Sequence, residues 1–161
     1  MVMNGNRTSM RFRVIIFSLT AASIAFAIIH SLMPADVSSA ESGGLLDILN
    51  YILRSLGIGL EISEHLLRKL AHFSEYAVIG ALLLSCAYSF DRIRPHRFAV
   101  YVLFSGLMTA VADETVQLNV EGRAGMITDV WIDFSGVIIG AAVMWTAFAI
   151  YRKIRRRYTE K

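Results

Sequence analysis

The chain has a single cysteine, few charged residues and long stretches with no charge at all. Cys86 has no second cysteine to pair with, so an internal disulfide is excluded, and its place in the uncharged run 77–90 predicts a small, packed apolar side chain. Charged residues make up 18% of the 161 residues and apolar residues 55%, whereas about a quarter of an ordinary soluble domain is charged. Nothing in the sequence indicates nucleic-acid binding. The composition predicts one integral membrane domain.

Four segments are long and apolar enough to cross a membrane as helices, for which about 20 residues are needed. The predicted spans are residues 14–33, 66–90, 98–119 and 130–151. The first run also has features of a secretory signal, because Arg11 and Arg13 precede it and Ser38-Ser39-Ala40 resembles a cleavage site. Signal cores have roughly 7 to 15 apolar residues, however, and this run is longer, which favours a retained span.

The loop between the first two spans contains a shorter apolar pattern that predicts one more helix. Apolar residues recur there at helical spacing, namely Leu45, Leu46, Leu49, Ile52, Leu53 and Leu56. Such a helix can lie at the membrane interface or pack against the bundle. The predicted fold class is therefore an all-α membrane protein, a four-transmembrane-helix bundle with a short amphipathic helix in the first extracytoplasmic loop.

Basic residues are distributed unevenly among the segments that connect the spans. Twelve of the 16 Lys and Arg residues lie in the N-terminal segment 1–13, the loop 91–97 and the C-terminal segment 152–161. Because loops rich in Lys and Arg stay in the cytoplasm, these three segments are predicted to be cytoplasmic. Both termini are then inside, and the basic tail is expected to attract anionic lipid.

Ionisable and polar side chains are concentrated at the predicted outer ends of three spans. They are Lys69, His72, Glu75 and Tyr76 in the second span, Asp113, Glu114 and Gln117 in the third, and Asp129 and Asp133 in the fourth. A charge in hydrocarbon costs several kcal/mol, so a chain that places many there usually encloses a polar site. Gly136 and Gly140 follow the two aspartates at a spacing that lets a neighbouring helix approach closely.

The histidine and the adjacent acids suggest a catalytic group. His72 can act as a general base or as a nucleophile, although an interhelical hydrogen bond is the structural alternative. Asp113 and Glu114 point about 100° apart on a helix, so one of them can orient the imidazole while the other has a different partner. Pairing with Lys69 would instead make these acids part of a structural ion pair.

Other polar residues suit binding of a phosphate group. Arg123, in a loop with two glycines, suits bidentate recognition of phosphate, or a salt bridge to Asp129. Lys69 can add a second positive charge or extend its amine toward the interface. Gln117 and Asp129 are assigned to the same binding region, with Glu75, Tyr76 and Asp133 in supporting positions. A divalent cation such as Mg²⁺ is a candidate cofactor, held by four acids, Asp113, Glu114, Asp129 and Asp133.

Three ordered blocks of residues resemble the VanZ-like family of small bacterial membrane proteins. The blocks are the run 69–76 (KLAHFSEY), then Asp113-Glu114-x-x-Gln117 followed by Arg123, then Asp129-x-x-x-Asp133-x-x-Gly136. The resemblance covers about residues 68–140. The family pattern often has asparagine where this chain has Asp133, which implies that the position need not be anionic.

The resemblance implies a protein of the bacterial cytoplasmic membrane that acts on lipids or lipid-linked cell-wall precursors. The family takes its name from a protein associated with resistance to the glycopeptide teicoplanin, and a relationship to enzymes that process lipid head groups has been proposed. Together with the outer polar site, this predicts a lipid head-group phosphodiester transferase or hydrolase. The alternatives are a non-catalytic binding protein that confers teicoplanin tolerance and a proton or ion path. A path is the least favoured, because the inner halves of the spans carry no comparable charges.

Overall fold

The computed structural model describes residues 7–159, except for the side chains of residues 35–42, 156 and 159. The outermost parts of the two terminal basic segments, residues 1–6 and 160–161, lie outside the described residues. The side chains of the Ser38-Ser39-Ala40 pattern lie outside them too.

Five α-helices and one short 3-10 helix make up the described part of the chain, which contains no strand. The α-helices are α1 (Met10–Ser31), α2 (Ala35–Ser55), α3 (Glu64–Phe90), α4 (Ala99–Gln117) and α5 (Ile127–Thr159), and the 3-10 helix Pro95–Phe98 precedes α4. Within the described residues, four segments are long and apolar enough to cross a membrane: Met10–Ser31, Glu64–Phe90, Pro95–Gln117 and Ile127–Arg155. The predicted all-α fold with four membrane helices is confirmed, and the chain is a multi-pass membrane protein.

Helix boundaries differ from the predicted spans where polar residues continue a helix beyond its apolar part. Both α1 and α3 begin at a serine cap, since Ser9 Oγ accepts a hydrogen bond from Phe12 N at 3.3 Å and Ser63 Oγ accepts one from Leu66 N at 3.2 Å. Helix α5 runs well past residue 151 into the basic tail. Positive side chains are favourable at a helix C-terminus, where the helix dipole is negative.

The predicted amphipathic helix corresponds to α2, whose described side chains begin at residue 43. Leu45, Ile48 and Tyr51 are exposed, with 74% of Tyr51 accessible. The Asn50 side chain joins α2 to the segment before α3, because Nδ2 donates to Ile62 O at 3.1 Å and Oδ1 accepts from Ile62 N at 2.8 Å. An anchored helix with an exposed apolar surface fits the interfacial position rather than packing into the bundle.

Helices α3 and α5 approach each other closely because glycines face the contact from both sides. A Cβ atom added to Gly140 would lie 1.8 Å from the Ala77 carbonyl oxygen, and one added to Gly80 would lie 2.1 Å from Val137 O. A Cβ at Gly136 would similarly lie 2.5 Å from a carbonyl oxygen of α3. The glycine spacing in the sequence therefore marks a true helix contact, and α3 is the neighbouring helix.

The bundle has two ends with different contents. At one end, here called the terminal end, Thr8 N donates to Ser89 O at 3.2 Å and Arg152 Nη1 donates to Arg92 O at 3.0 Å. At the other end, here called the site end, the C-terminal ends of α1 and α4 meet the N-terminal ends of α3 and α5. Both described chain ends therefore lie opposite the polar residues of the three spans.

Candidate functional site

A polar cavity of about 230 Å³ lies at the site end of the bundle. Its walls come from the start of α3, the end of α4, the loop 118–126 and the start of α5. Basic side chains on these walls are His65, Arg68, Lys69 and Arg123, and acidic ones are Glu114, Asp129 and Asp133. The cavity thus combines both signs of charge with His72 and Gln117, which also line it.

Three buried side chains from three helices converge beside this cavity. The Nδ1 atom of His72 lies 3.8 Å from Asp113 Oδ2 and 3.9 Å from Asp133 Oδ1. Both aspartates are fully buried and His72 is 9% exposed. These separations are longer than a hydrogen bond, so the imidazole faces two carboxylates without being bonded to either.

Several polar atoms of this cluster are buried without a hydrogen-bond partner. They are His72 Nδ1, Asp113 Oδ1, and both side-chain oxygens of Asp133. A buried polar atom left unpaired costs roughly 1 to 3 kcal/mol, and more when it is charged. Most buried polar groups in proteins are paired, so a cluster of unpaired ones points to a ligand, an ion or a proton as the missing partner.

Asp113 and Glu114 have different partners, as their adjacent positions on a helix predict. Glu114 Oε2 accepts a hydrogen bond from Met126 N at 2.9 Å, which fixes the loop between α4 and α5. Gln117 Nε2 donates to Ser31 Oγ at 3.1 Å and lies 3.4 Å from Glu114 Oε1. Of the two acids, Asp113 is therefore the one that faces the imidazole, while Glu114 holds the cavity wall.

Lys69 and Asp129 form an ion pair across α3 and α5, with Nζ 2.7 Å from Oδ1. Both side chains are about a quarter exposed, at 26% and 28%. Within the described residues this pair replaces the predicted alternatives, in which Lys69 paired with Asp113 or Glu114 and Arg123 paired with Asp129. The two residues still line the cavity, but each already has a partner.

Arg123 occupies the loop above the cavity and keeps much of its hydrogen-bonding capacity. Its Nη2 atom donates to His30 O at 3.5 Å, and its Nε is buried without a partner. Burial lowers the pKa of Arg123, but a guanidinium stays charged in proteins. Gly122, with a φ of 73°, and Gly125, packed against Glu114 O, shape this loop. Arg123 is thus a charged group directed at the cavity.

The first helix contributes polar residues that the sequence reasoning missed. His30 Nδ1 lies 3.8 Å from Glu75 Oε1, and the rings of His30 and His72 are 6.3 Å apart. Ser31 is fully buried and receives the Gln117 hydrogen bond. His30 is the one ionisable residue in the run 14–33 and lies near its outer end, a signal that could have identified it.

Tyr76 and Glu75 lie at the edge of the cluster rather than on the cavity wall. Tyr76 is fully buried in the hydrophobic core, and its hydroxyl donates to Thr109 O at 3.4 Å. Glu75 faces His30, as described above. These positions place Tyr76 and Glu75 beneath and beside the three-residue cluster.

Comparisons with known proteins identify the family and nothing narrower. No curated protein and no solved structure matches the chain significantly. A family model described as VanZ/LLP1 matches residues 8–150, which include the first three membrane helices, most of the fourth and every cavity residue named above. The chain therefore belongs to the VanZ/LLP1 family.

Proposed function

We propose that this protein acts on the phosphate-bearing head group of a lipid or lipid-linked cell-wall intermediate. The observation that carries the proposal is the cavity itself, which sets Arg123, Arg68 and Lys69 around the buried pair of His72 and Asp113. Guanidinium groups suit phosphate oxygens because their donors match the oxygens in bidentate geometry. A cavity that presents guanidinium groups at the end of a membrane bundle fits a substrate whose tail stays in the bilayer.

The reactive group in this proposal is the His72 imidazole. With Nδ1 facing Asp113, Nε2 is the nitrogen that serves the substrate, as in other carboxylate–histidine pairs. An attacking water or alcohol gives its proton to Nε2 while its oxygen bonds to phosphorus. The bond from phosphorus to the leaving oxygen then breaks, and that oxygen takes the proton from the imidazolium. Water as the attacking group gives a hydrolase, and an alcohol gives a transferase.

Charge that develops on the phosphoryl oxygens needs a positive partner in the cavity. Arg123 supplies it in our proposal, because its Nε has no partner of its own. Lys69 contributes less than the sequence suggested, since Asp129 neutralises it at 2.7 Å. Gln117 positions Asp113 through its amide, which lies 3.5 Å from Asp113 Oδ2.

The site end faces the extracytoplasmic side in this proposal, in the cytoplasmic membrane of a bacterium. The terminal end carries the described parts of the basic segments, residues 7–13, 91–97 and 152–159, for which the distribution of Lys and Arg predicts a cytoplasmic location. The site end lies opposite, so its cavity opens toward the outer leaflet. Cysteine-accessibility labelling of Glu121→Cys in intact cells tests this, because labelling by an impermeant reagent is expected only if the site end is outside.

The head-group reaction is tested by comparing lipid extracts of cells that express the wild type or His72→Ala. We expect the wild type to generate a product with an altered head group, detected by mass spectrometry. Its rate of formation should fall by roughly 10²- to 10⁴-fold in the variant, the usual contribution of a general base. His96→Ala is the matched control, because His96 is exposed at the terminal end and should leave the rate unchanged.

Equal membrane levels of the three proteins must be verified by immunoblot. Identical lipid profiles for the wild type and His72→Ala would contradict the proposal. A His72→Asn variant that keeps full teicoplanin tolerance would favour the non-catalytic binding protein.

A further inference from the structure

We propose that His72, Asp113 and Asp133 bind a divalent transition-metal cation at the inner wall of the cavity. One ligand atom from each of these side chains lies within 4.8 Å of the others. The three residues come from α3, α4 and α5, so the site exists only in the assembled bundle. This inference goes beyond the proposed function, because cation binding requires no lipid.

The distances in the cluster are close to those of a metal site. Zinc binds nitrogen and carboxylate oxygen at about 2.0 to 2.2 Å, so two such ligands on a tetrahedral ion are roughly 3.4 Å apart. The observed separations from His72 Nδ1 are 3.8 Å to Asp113 Oδ2 and 3.9 Å to Asp133 Oδ1. Each of these two separations exceeds that value by about half an ångström, which rotation of the side chains can close.

A second observation supports a cation independently of this clustering. Both oxygens of Asp133 are buried without a hydrogen-bond partner, although the residue is 0% exposed and directed at the imidazole. Asp113 Oδ1 is unpaired as well. Buried carboxylates are normally paired with a cation or coordinate a metal, because their desolvation is otherwise uncompensated.

Among the described residues, no nearby lysine or arginine forms an ion pair with either aspartate. Lys69 is paired with Asp129, and Arg123 donates its described hydrogen bond to a backbone carbonyl. In the part of the chain that the structure describes, the ion pairs recorded for Asp113 and Asp133 involve His72 alone. A divalent cation would balance two carboxylates and accept the Nδ1 lone pair at the same point.

The donor set selects the class of metal. One imidazole and two carboxylates suit Zn²⁺, Fe²⁺ or Mn²⁺ better than Mg²⁺, which prefers oxygen ligands only. The set differs from the four acids expected from sequence, because Glu114 and Asp129 are engaged elsewhere. The imidazole replaces them as a ligand.

Three protein ligands leave a coordination position open, as in catalytic zinc sites. His72 and Asp133 line the cavity, so the open position faces the space where a phosphate would bind. A bound cation supplies Lewis-acid neutralisation of phosphate oxygens. His72 Nδ1 then serves as a ligand, so metal loading and orientation of the imidazole by Asp113 are mutually exclusive states of the site.

The test is Zn²⁺ binding to the full-length protein, purified in detergent without a histidine tag and stripped with a chelator. Isothermal titration calorimetry should show one Zn²⁺ per chain. The Zn²⁺ dissociation constant should rise more than about 100-fold in His72→Ala and Asp133→Ala. Loss of a residue that only supports a metal ligand already weakens metal binding about 10- to 100-fold, and loss of a ligand should weaken it further. His96→Ala and Glu121→Gln, which change an exposed histidine and an exposed acidic residue, should bind like the wild type.

Asp133→Asn keeps the shape of the side chain and covers the case in which the alanine variants do not fold. Without metal its melting temperature should equal or exceed that of the wild type, because it removes a buried charge that lacks a partner. Saturating Zn²⁺ should raise the melting temperature of the wild type by more than that of this variant, since binding to the folded state stabilises it.

Equal Zn²⁺ affinity of the wild type, His72→Ala and Asp133→Asn would overturn the cation site. In that case a loss of head-group turnover in His72→Ala would still support the proposed function. Conversely, Zn²⁺ binding together with unchanged lipid profiles would support the cation site and contradict the head-group reaction.

Discussion

The two ends of the bundle use polar side chains in opposite ways. At the terminal end, Thr8 donates to Ser89 O from both its backbone nitrogen and its hydroxyl, and Arg152 donates to two backbone carbonyls. The rings of Tyr88 and Phe148 stack there at 3.8 Å. Each of these contacts satisfies a polar group or covers an apolar one, so this end behaves like an ordinary folded interior.

The site end retains polar atoms without partners. His72, Asp113 and Asp133 are buried together with unpaired atoms, and Arg123 Nε is buried and unpaired too. An arrangement that costs folding free energy is retained where function requires it. The comparison suggests a division in which the α3–α5 contact and the terminal end provide stability while the site end provides binding and chemistry.

The largest effect is predicted for the α3–α5 contact, which runs between the two ends of the bundle. Gly140→Ala places a Cβ where only 1.8 Å separates it from Ala77 O, so α5 must move away from α3. We expect a loss of about 3 kcal/mol in unfolding free energy, at the upper end of the usual cost of overpacking. Reversible unfolding in detergent measures it, and head-group turnover should fall as well because Asp133 moves with α5.

The matched control for this substitution is Gly44→Ala on α2. A Cβ at Gly44 meets nothing within 4 Å, and alanine is the better helix former. We expect no loss of stability in this control. Equal stability of Gly140→Ala and the wild type would mean that the α3–α5 contact does not support both ends.

A smaller effect, confined to the site end, is expected for Arg123→Ala. Substrate affinity or turnover should fall about 10- to 100-fold, because a charged hydrogen bond to phosphate is worth roughly 1.5 to 3 kcal/mol. Unfolding free energy should change little, since Nε has no partner and Nη2 makes one long contact. Arg123→Lys should restore only part of the activity, because lysine cannot bind bidentately. Full activity of Arg123→Ala would remove Arg123 from the binding site.

The sequence predicted the helices and the gathering of polar residues at one end because both depend on local patterns. Hydrophobic runs longer than 20 residues define membrane helices regardless of what they contact. The order of polar and apolar segments along alternating helices then brings His72, Asp113 and Asp133 to one end. The roles of these residues and the orientation of the protein remain predictions, since neither follows from the fold alone.

The partners of individual side chains could not be predicted, because they depend on how each helix is rotated and how far it is shifted. Lys69 reaches Asp129 instead of Asp113 as a result of the close α3–α5 contact. Glu114 turns to Met126 N because the loop folds back over the end of α4. His30 enters the site only through the placement of α1. The sequence of α1 is apolar on nearly every face, so it does not indicate which face of this helix turns toward the bundle.

The smallest effect, and the one that isolates the terminal end, is predicted for Arg152→Ala. Its guanidinium donates to Arg92 O at 3.0 Å and also to Ile93 O, which ties α5 to the loop before α4. Because the side chain is partly exposed, we expect its loss to lower the unfolding free energy by about 1 kcal/mol. Head-group turnover and Zn²⁺ affinity should stay at wild-type values, since Arg152 lies at the opposite end from the cavity.

Lys153→Ala, at an exposed neighbouring position, is the control for removing one positive charge from the tail. A loss of turnover in Arg152→Ala with unchanged protein levels would show that the two ends are coupled and that stability and function are not divided between them.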